Sequence, residues 1–329
     1  MKSIAFIVPY FGKFPNYFSL WLQSCRNNPS IDWLLFTDCN DKYDYPENVK
    51  VTLMQFGELR NRIQNLFDFE ISLSKPYKLC DFRPSYGVIF KERLVGYDYW
   101  GYCDIDLIWG NLRKFITDDL LNNDRIGLNG HCTIIKNSEE LRNLYIKNVD
   151  GIPNYRWVFS SPMSFCFDEG NAFNMLFHIF GYSLVSIPRV FDVRIKNRGF
   201  LPVKKLSHET NPTLSSFKYN SGELRCYYVS EGHYEKSEEI SYLHLQKRSM
   251  NLNVSSYSDS FSIIPNSFEA YESNREYAYQ NKLGGVRFWY WKYLTKYWYE
   301  EILGIHRFYH YRFPRLSKLM ESVFALIKL

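Results

Sequence analysis

The chain has 329 residues, of which 46% are hydrophobic, and it carries a formal charge of +5. This composition suits one large α/β domain or two smaller ones and excludes global disorder, while the charge is too small to indicate a nucleic-acid partner. Aromatic residues make up 19%. That content is typical of carbohydrate-binding faces or membrane interfaces, and an AT-rich coding bias would also produce it.

The N-terminal region predicts the start of a parallel α/β sheet. Residues 3–8, 32–37 and 49–54 are apolar runs typical of buried strands, and residues 16–27 carry apolar side chains at helical spacing. Ligands of such sheets bind at the carboxyl ends of the strands. The expected nucleotide contacts therefore follow the first two strands: Pro9, Tyr10, Thr37 and Asp38.

The rest of the chain predicts alternating helices and short strands. Predicted helices cover residues 58–71, 84–94, 111–121, 138–147 and 173–180, and predicted strands cover residues 126–129 and 132–136. Residues 251–281 are rich in Ser, Asn and Tyr, which is typical of a linker or a mobile loop.

An acidic pair lies inside an apolar, aromatic run. Asp104 and Asp106 are one residue apart in the sequence YWGYCDIDLIWG, residues 99–110. Alternate residues of a strand point to opposite faces, so both carboxylates reach one ion only if the strand ends and turns there. Oxygen ligands suit Mg²⁺ or Mn²⁺, ions that also bridge diphosphates. A solvated loop with two surface acids is the alternative.

Three further groups contain candidate site residues. Lys78, Asp81 and Arg83 precede a predicted helix, and they are suited either to contacts with phosphate and sugar or to a local salt bridge. Asp168 and Glu169 are either a source of the general base or acids favoured by a helix N-terminus. The segment Asn129-Gly130-His131 is a weaker candidate for the acceptor side.

His244 follows a short apolar strand and precedes two cations, Lys247 and Arg248. Its imidazole is either structural or the third ligand of an ion bound by Asp104 and Asp106. The two cations are positioned in sequence to neutralise a diphosphate leaving group.

These motifs resemble those of GT-A-type glycosyltransferases. The segments K78-x-x-D-x-x-P-x-Y-G and Y97-D-x-W-G-x-C-D-x-D are similar to a bacterial family from capsule and O-antigen gene clusters, formerly of unknown function. The resemblance covers residues 1–250. It implies a GT-A-like, Rossmann-type mixed sheet flanked by helices, a UDP-sugar or other nucleotide-sugar donor, and a glycan or lipid-linked acceptor. It also implies Mn²⁺ or Mg²⁺ on Asp104, Asp106 and His244, with Asp81 and Arg83 at the donor sugar.

The C-terminal region, residues 282–329, lies outside this resemblance. It has nine Lys and Arg against three Glu, interleaved with aromatic residues. This pattern predicts a helical tail that either contacts an anionic membrane or packs its aromatics on the core.

The scattered cysteines, without a C-x-x-C pair, predict reduced thiols in a cytoplasmic protein. The N-terminal apolar run is too short for a signal peptide. The sequence has no uninterrupted stretch of about 20 apolar residues, so no membrane-spanning helix is predicted. Peripheral contact with the inner membrane is expected through residues 282–329. A non-catalytic carbohydrate-binding or membrane-scaffold protein is the alternative function. A nucleotidyl transferase is disfavoured because Gly12-Lys13 is a poor phosphate loop.

Overall fold

A computed structural model describes residues 1–170, 172–193, 200, 214–230 and 233–271. The predicted tail of residues 282–329, and residues 272–281 of the predicted linker, lie outside the described residues. In the described part, no helix combines the length and the apolar character needed to cross a membrane.

The described residues form sixteen strands and eight α-helices, with short 3₁₀ turns between them. The strands are β1 (Ile4–Pro9), β2 (Ile31–Thr37), β3 (Val49–Leu53), β4 (Tyr99–Cys103), β5 (Leu107–Trp109), β6 (Arg125–Asn129), β7 (Cys132–Lys136), β8 (Leu184–Val185), β9 (Val190–Asp192), β10 (Leu214–Asn220), β11 (Glu223–Ser230), β12 (His233–Glu239), β13 (Tyr242–His244), β14 (Asn251–Asn253), β15 (Ser260–Ile264) and β16 (Ser267–Ala270). The helices are α1 (Phe18–Arg26), α2 (Phe56–Gln64), α3 (Leu79–Phe82), α4 (Tyr86–Ile89), α5 (Leu112–Phe115), α6 (Glu139–Arg142), α7 (Tyr155–Ser160) and α8 (Phe173–Ile179).

The main sheet has seven strands in the order β3-β2-β1-β4-β7-β6-β8. Strands β1 to β4 are parallel, and β7 is antiparallel to both β4 and β6. The predicted mixed α/β architecture, a mixed sheet flanked by helices, is therefore confirmed. The chain passes from β1 to β2 and β3 on one side and returns to β4 on the other, which makes the β1/β4 boundary a topological switch point.

Both faces of this sheet are buried. In β1, Ile4, Phe6 and Val8 belong to one hydrophobic core, together with α1, while Ala5 and Ile7 belong to the core on the opposite face. A strand covered on both faces reads as a continuous apolar run, and for this reason β1 and β2 are recognisable in the sequence.

The aromatic residues of the described part serve mainly the core. The four largest fully buried side chains are tryptophans, Trp21, Trp33, Trp100 and Trp109. The rings of Phe14 and Phe18 stack with centroids 3.9 Å apart. The high aromatic content therefore needs no carbohydrate or membrane surface to explain it in these residues, because large rings supply buried apolar area efficiently.

Two smaller sheets complete the fold. One has six strands in the order β12-β11-β10-β15-β16-β14, and the other has three in the order β5-β13-β9. The six-stranded sheet includes β14, β15 and β16, which lie within residues 251–270. The sequence predicts a linker or mobile loop there, so that prediction is wrong for these residues. In β15, the core residues Phe261 and Ile263 alternate with Ser260 and Ser262. This alternation is typical of a strand, and the polar average composition hides it.

Several predicted helices are shorter than expected or break into turns. Residues 84–94 form α4 between two 3₁₀ turns, Arg83–Ser85 and Lys91–Arg93. Gly87 lies inside this segment, and a Cβ there would be 2.8 Å from the ring of Trp100. Glycine disfavours a continuous helix, and the close approach of Trp100 explains why it occupies this position.

Candidate active site

A cavity of about 1030 Å³ lies at the carboxyl ends of β1 and β4. Its wall includes Pro9 at the end of β1, Tyr10 directly after it, Asp104 after β4 and His244 at the end of β13. Open parallel sheets bind ligands at this position, where the strand order reverses. The sequence predicts a ligand site at this edge of the sheet, and Pro9 and Tyr10 line the cavity there, while their contact with a nucleotide stays a prediction.

The chain turns between the two aspartates, as a shared ion would require. Strand β4 ends at Cys103, and β5 begins at Leu107. The Asp104 amide donates to the His131 carbonyl at 3.0 Å, and the Asp106 carbonyl accepts from the Leu245 amide at 2.9 Å. These bonds hold the bend, and both carboxylates lie beside the same imidazole.

That imidazole belongs to His244. Its Nε2 is 3.5 Å from Asp106 Oδ1 and 3.9 Å from Asp104 Oδ2. Asp104, Asp106 and His244 each offer a ligand atom within 4.8 Å of the others. Two carboxylate oxygens and one imidazole nitrogen suit a divalent ion such as Mn²⁺, so the donor set fits the predicted metal.

The protonation of the site follows from this crowding of acids. Burial alone lowers the pKa of His244, but the hydrogen bonds to Asp106 and Asp192 and the charges of Asp106 and Asp104 outweigh it and raise the pKa to about 10. The pKa of Asp106 is lowered because His244 outweighs the effect of burial. Burial lowers the pKa of His131 to about 3, so this ring is neutral at pH 7. An ion that takes Nε2 of His244 must displace a proton.

Arg83 connects the acidic pair with the second acidic segment. Its guanidinium pairs with the Asp104 carboxylate, and its Nη1 lies 3.0 Å from Asp168 Oδ2 and donates to the Gly130 carbonyl at 2.7 Å. A Cβ at Gly130 would be 2.5 Å from Asp168 Oδ2. Glycine at this position therefore leaves room for the Arg83–Asp168 contact.

Asp168 is buried and its protonation is strongly affected. Burial raises the pKa of its carboxyl to about 7, although the charge of Arg83 opposes the shift. Glu169 accepts the Gly130 amide at 2.8 Å. Both side chains contribute to the cavity wall. The structure thus brings together Arg83, Asp104, Asp168 and Glu169, which are far apart in sequence.

Lys78 and Asp81 lie elsewhere, and here the geometry contradicts the predicted donor contacts. Asp81 is fully buried and accepts the Phe165 and Phe167 amides at 3.0–3.1 Å and the Lys78 ammonium at 2.7 Å. Lys78 also donates to the Val158 carbonyl at 2.9 Å. Neither residue lines the cavity. All their polar contacts are internal, so the pair supports the segment that carries Asp168.

Thr37 and Asp38 also lie behind the cavity wall rather than in it. Thr37 is buried and accepts the Cys39 amide at 3.1 Å. Asp38 accepts the Gly12 amide at 2.7 Å, and Gly12 has a left-handed backbone with φ of 95°. In place of the predicted nucleotide contacts, Asp38 therefore supports the loop after β1, and Thr37 supports the turn after β2.

Lys247 and Arg248 do reach the cavity. The Lys247 amide donates to the Asp106 carboxylate, and its ammonium lies 4.2 Å from the centre of the Tyr77 ring. The Arg248 guanidinium lies 5.0 Å from the centre of the Phe200 ring. The cavity wall thus combines the carboxylates of Asp104 and Asp106 with the cations of Lys247 and Arg248, a combination suited to a metal-bound diphosphate.

Sequence reasoning missed Asp192, Gln246 and Tyr77. Asp192 Oδ1 lies 2.8 Å from His244 Nδ1 and accepts from Gln246 Nε2 at 2.6 Å. Asp192 is on β9, which pairs in parallel with β13, so that Asp192 is the register partner of His244. No sequence spacing signals this pairing, because the two strands are 52 residues apart.

The fold and the site define an α/β protein with a candidate metal- and ligand-binding cavity at the switch point of its sheet. The sequence model of a family of unknown function, DUF6625, matches residues 6–272, and the chain belongs to that family. Comparison with the curated proteins finds no match.

Among solved structures, the chain is similar to the apo-form glycosyltransferase GlyE of Streptococcus pneumoniae TIGR4. The identity is 18% and the TM-score is 0.26, over 56% of this chain and 45% of that chain. The match thus spans less than half of GlyE. At this TM-score the similarity supports no conclusion about the function of this chain.

Proposed function

We propose that this protein is a metal-dependent glycosyltransferase that moves a sugar from a nucleotide-sugar donor, in the first instance a UDP-sugar, to a glycan or lipid-linked glycan. The observation that carries the proposal is the convergence of Asp104, Asp106 and His244 in the cavity at the β1/β4 switch point. The sequence resemblance to GT-A-type enzymes over residues 1–250 agrees with it. GT-A-like character, the donor and the acceptor are parts of this proposal.

The residues of the site divide into a donor group and an acceptor group, and the donor group includes the metal ligands. Asp104, Asp106 and His244 hold Mn²⁺ or Mg²⁺, and the chemistry that such an ion supplies is neutralisation of the diphosphate leaving group. Lys247, whose amide bonds the Asp106 carboxylate, adds a positive charge to the cavity wall. Pro9 and Tyr10 lie at the end of β1, where the nucleoside contacts the sheet edge.

The acceptor chemistry is assigned to Asp168, with Glu169 beside it. A general base works best when its pKa lies near the operating pH, and the pKa of Asp168 is about 7. In the proposed transfer, the acceptor oxygen bonds to the anomeric carbon while the bond from that carbon to the phosphate oxygen breaks. The acceptor proton passes to Asp168, and the electron pair of the broken bond leaves with the nucleoside diphosphate.

Arg83 holds both acids in place in this scheme. Its guanidinium contacts Asp104 on the donor side and Asp168 on the acceptor side. We assign it a positioning role, because its two terminal nitrogens bond the carboxylates of Asp104 and Asp168 and the Gly130 carbonyl.

The first test is ligand-dependent stabilisation of the full chain. A ligand that binds only the folded state raises the melting temperature. UDP-sugars with Mn²⁺ should raise it, and either component alone should raise it less. Asp106→Asn should abolish the joint effect while keeping the melting temperature of the free protein within a few degrees of wild type.

Stabilisation by free glycans, without any dependence on nucleotide or Mn²⁺, would instead establish a carbohydrate-binding protein. Product formation is the second measurement: release of UDP from the stabilising donor, in the presence of candidate acceptors, should stop in excess chelator. Release that continues at the same rate would overturn the metal dependence. Membrane contact through residues 282–329 stays part of the proposal and rests on the charge and aromatic pattern of that sequence alone.

A further inference from the structure

His244 is held from both sides of its ring. Its Nε2 faces the carboxylates of Asp106 and Asp104, at 3.5 and 3.9 Å, and its Nδ1 lies 2.8 Å from Asp192 Oδ1. Histidine ligands of metals commonly donate their second N–H to a carboxylate, which fixes the tautomer and the ring orientation. The arrangement of Asp192 and His244 has this geometry.

We infer that Asp192 is the positioning residue of the metal site: it holds the Nδ1–H of His244, so that Nε2 is the nitrogen presented to an ion between Asp104 and Asp106. This inference rests on the proposed metal site. An ionised carboxylate can only accept hydrogen bonds, so the proton of the shared bond belongs to Nδ1.

The backbone places these two side chains together by register. His244 pairs with Asp192 across the parallel β9–β13 ladder and with Leu107 across the antiparallel β5–β13 ladder. Strand β13 therefore lies between the strand that follows Asp106 and the strand that ends at Asp192. A one-residue slip of β9 would direct the carboxylate to the other face.

Gln246 orients the carboxylate in turn. Its Nε2 donates to the same oxygen, Asp192 Oδ1, at 2.6 Å. Gln246 and Lys247 both have left-handed backbones, with φ of 55° and 56°. Non-glycine residues in this region are strained, and here the strained pair places one side chain on Asp192 and one amide on Asp106.

A second set of donors shares the same histidine. His131, Asp192 and His244 also offer ligand atoms within 4.8 Å of one another. His131 Nε2 is already 3.0 Å from the Tyr242 hydroxyl, and Asp192 Oδ1 already has two partners. Asp104 Oδ2 and Asp106 Oδ1 lie 3.9 and 3.5 Å from His244 Nε2, which is farther than these hydrogen bonds. The wider spacing leaves more room for an ion and favours the set that contains the two aspartates.

The test is Mn²⁺ binding by the metal-free full chain at fixed pH, measured by calorimetry or by the electron paramagnetic resonance of free Mn²⁺. Loss of a carboxylate behind a histidine ligand weakens metal binding about 10–100-fold. We expect a loss of this size for Asp192→Ala and a smaller one for Asp192→Asn, whose carbonyl still accepts from Nδ1–H. The matched control is Asp259→Ala, since Asp259 is a partly buried aspartate that bonds Gln23, Asn27 and Ser221 away from the cavity.

The outcomes separate the inference from the proposed function. If wild type binds Mn²⁺ and Asp104→Ala weakens binding, but Asp192→Ala does not, the inference fails and the metal site stands. If Asp104→Ala has no effect and His131→Ala has a large one, the ion occupies the other set and Asp192 is a ligand, which overturns the inference. Absence of Mn²⁺ binding by wild type overturns both. Melting curves of the metal-free variants identify any that fail to fold, and Asp192→Asn then serves in place of Asp192→Ala.

Discussion

The short segment of residues 78–83 contributes to two groups of ion pairs with opposite surroundings. Lys78 and Asp81 pair with each other in the core, where Lys78 also bonds a backbone carbonyl and Asp81 also accepts from backbone amides. Arg83, two residues further on, pairs with Asp104 and Asp168 at the cavity wall. In the sequence the three residues form one charged motif, and all were predicted to contact the donor.

The difference shows how a buried charge becomes structural or functional. An acid surrounded by backbone amides, as Asp81 is, has no acceptor capacity that faces a ligand. The acids around Arg83 share one cation between them, and Asp104 and Asp168 also face open space. A site for a charged ligand needs carboxylates whose charge the protein neutralises only in part, whereas a buried structural ion pair needs charges that are fully neutralised.

The substitution Asp81→Ala should have the largest effect on stability. Removing one partner of a buried ion pair costs about 3–5 kcal/mol of unfolding free energy, because the other charge is left unpaired. Here the Phe165 and Phe167 amides lose their acceptor as well. Chemical denaturation of Asp81→Ala should show a loss of this size.

Asp104→Ala is the matched comparison for this prediction. Arg83 keeps its contact with Asp168 in this variant, so we expect a loss of about 1 kcal/mol. Equal losses for Asp81→Ala and Asp104→Ala would contradict the division into a structural pair and a site pair.

Asp106→Ala tests the site side of the comparison. Removing a group that stabilises charge in the transition state typically lowers kcat by about 100- to 1000-fold, and we expect a loss of donor turnover in this range. Asp98→Ala is the control, because Asp98 precedes β4, at the end of that strand opposite Asp104, and accepts from the Ser3 amide. Full activity of Asp106→Ala would remove the metal from the proposed function.

The substitution Asp168→Asn tests the proposed general base through the pH dependence of the rate. Loss of a general base typically costs about 100- to 10,000-fold, and the acid limb of the wild-type rate profile should have an apparent pKa near 7. The variant should lose both the rate and that limb. An unchanged limb in the variant would assign the titration to another group.

Stability should respond to Asp168 with a definite sign. The folded-state pKa is raised from 3.8 to about 7, so the folded chain retains a proton that the unfolded chain has lost. The contribution of this group to the free energy of unfolding therefore falls as the pH rises from about 4 to about 7. Denaturation of the metal-free protein at pH 5 and pH 8 should show this decrease in wild type, and Asp168→Asn should lack that part of it.

The parts of the fold that the sequence predicts well are those with strong local patterns. Strands β1 and β2 are continuous apolar runs, and the helix predicted from residue 138 has Ser138 as its N-cap, with a side chain that accepts from the Leu141 amide. The strands β14 to β16 were missed because their inward residues alternate with serines and asparagines. Helix lengths were overestimated where glycine and 3₁₀ turns interrupt the apolar spacing.

The candidate site was predictable where neighbouring residues carry it. Asp104 and Asp106 are close in sequence, and the turn between them follows from the need for both to reach one ion. Asp192 was not predictable, because it reaches His244 only through the register of β9 and β13. The role of Asp81 was predicted wrongly because sequence does not show which charged residues of a segment face backbone amides and which face a cavity.

The smallest expected effect concerns Asp38, which resembles Asp81 in function but lies nearer the surface. Its carboxylate accepts the Gly12 amide at 2.7 Å and so fixes the loop after β1, which contributes Tyr10 to the cavity wall. Loss of one hydrogen bond costs about 1 kcal/mol, which corresponds to roughly a fivefold change. Asp38→Ala should therefore raise the KM for the donor about fivefold and leave kcat unchanged, since in the proposed function this loop contacts the nucleoside and takes no part in bond breaking. Steady-state kinetics with Asp44→Ala as control, an exposed aspartate paired with Arg26, would check this. A loss in kcat as large as that of Asp106→Ala would mean that Asp38 contacts the donor itself, and the separation between loop-supporting and cavity-lining acids would then fail at this edge of the sheet.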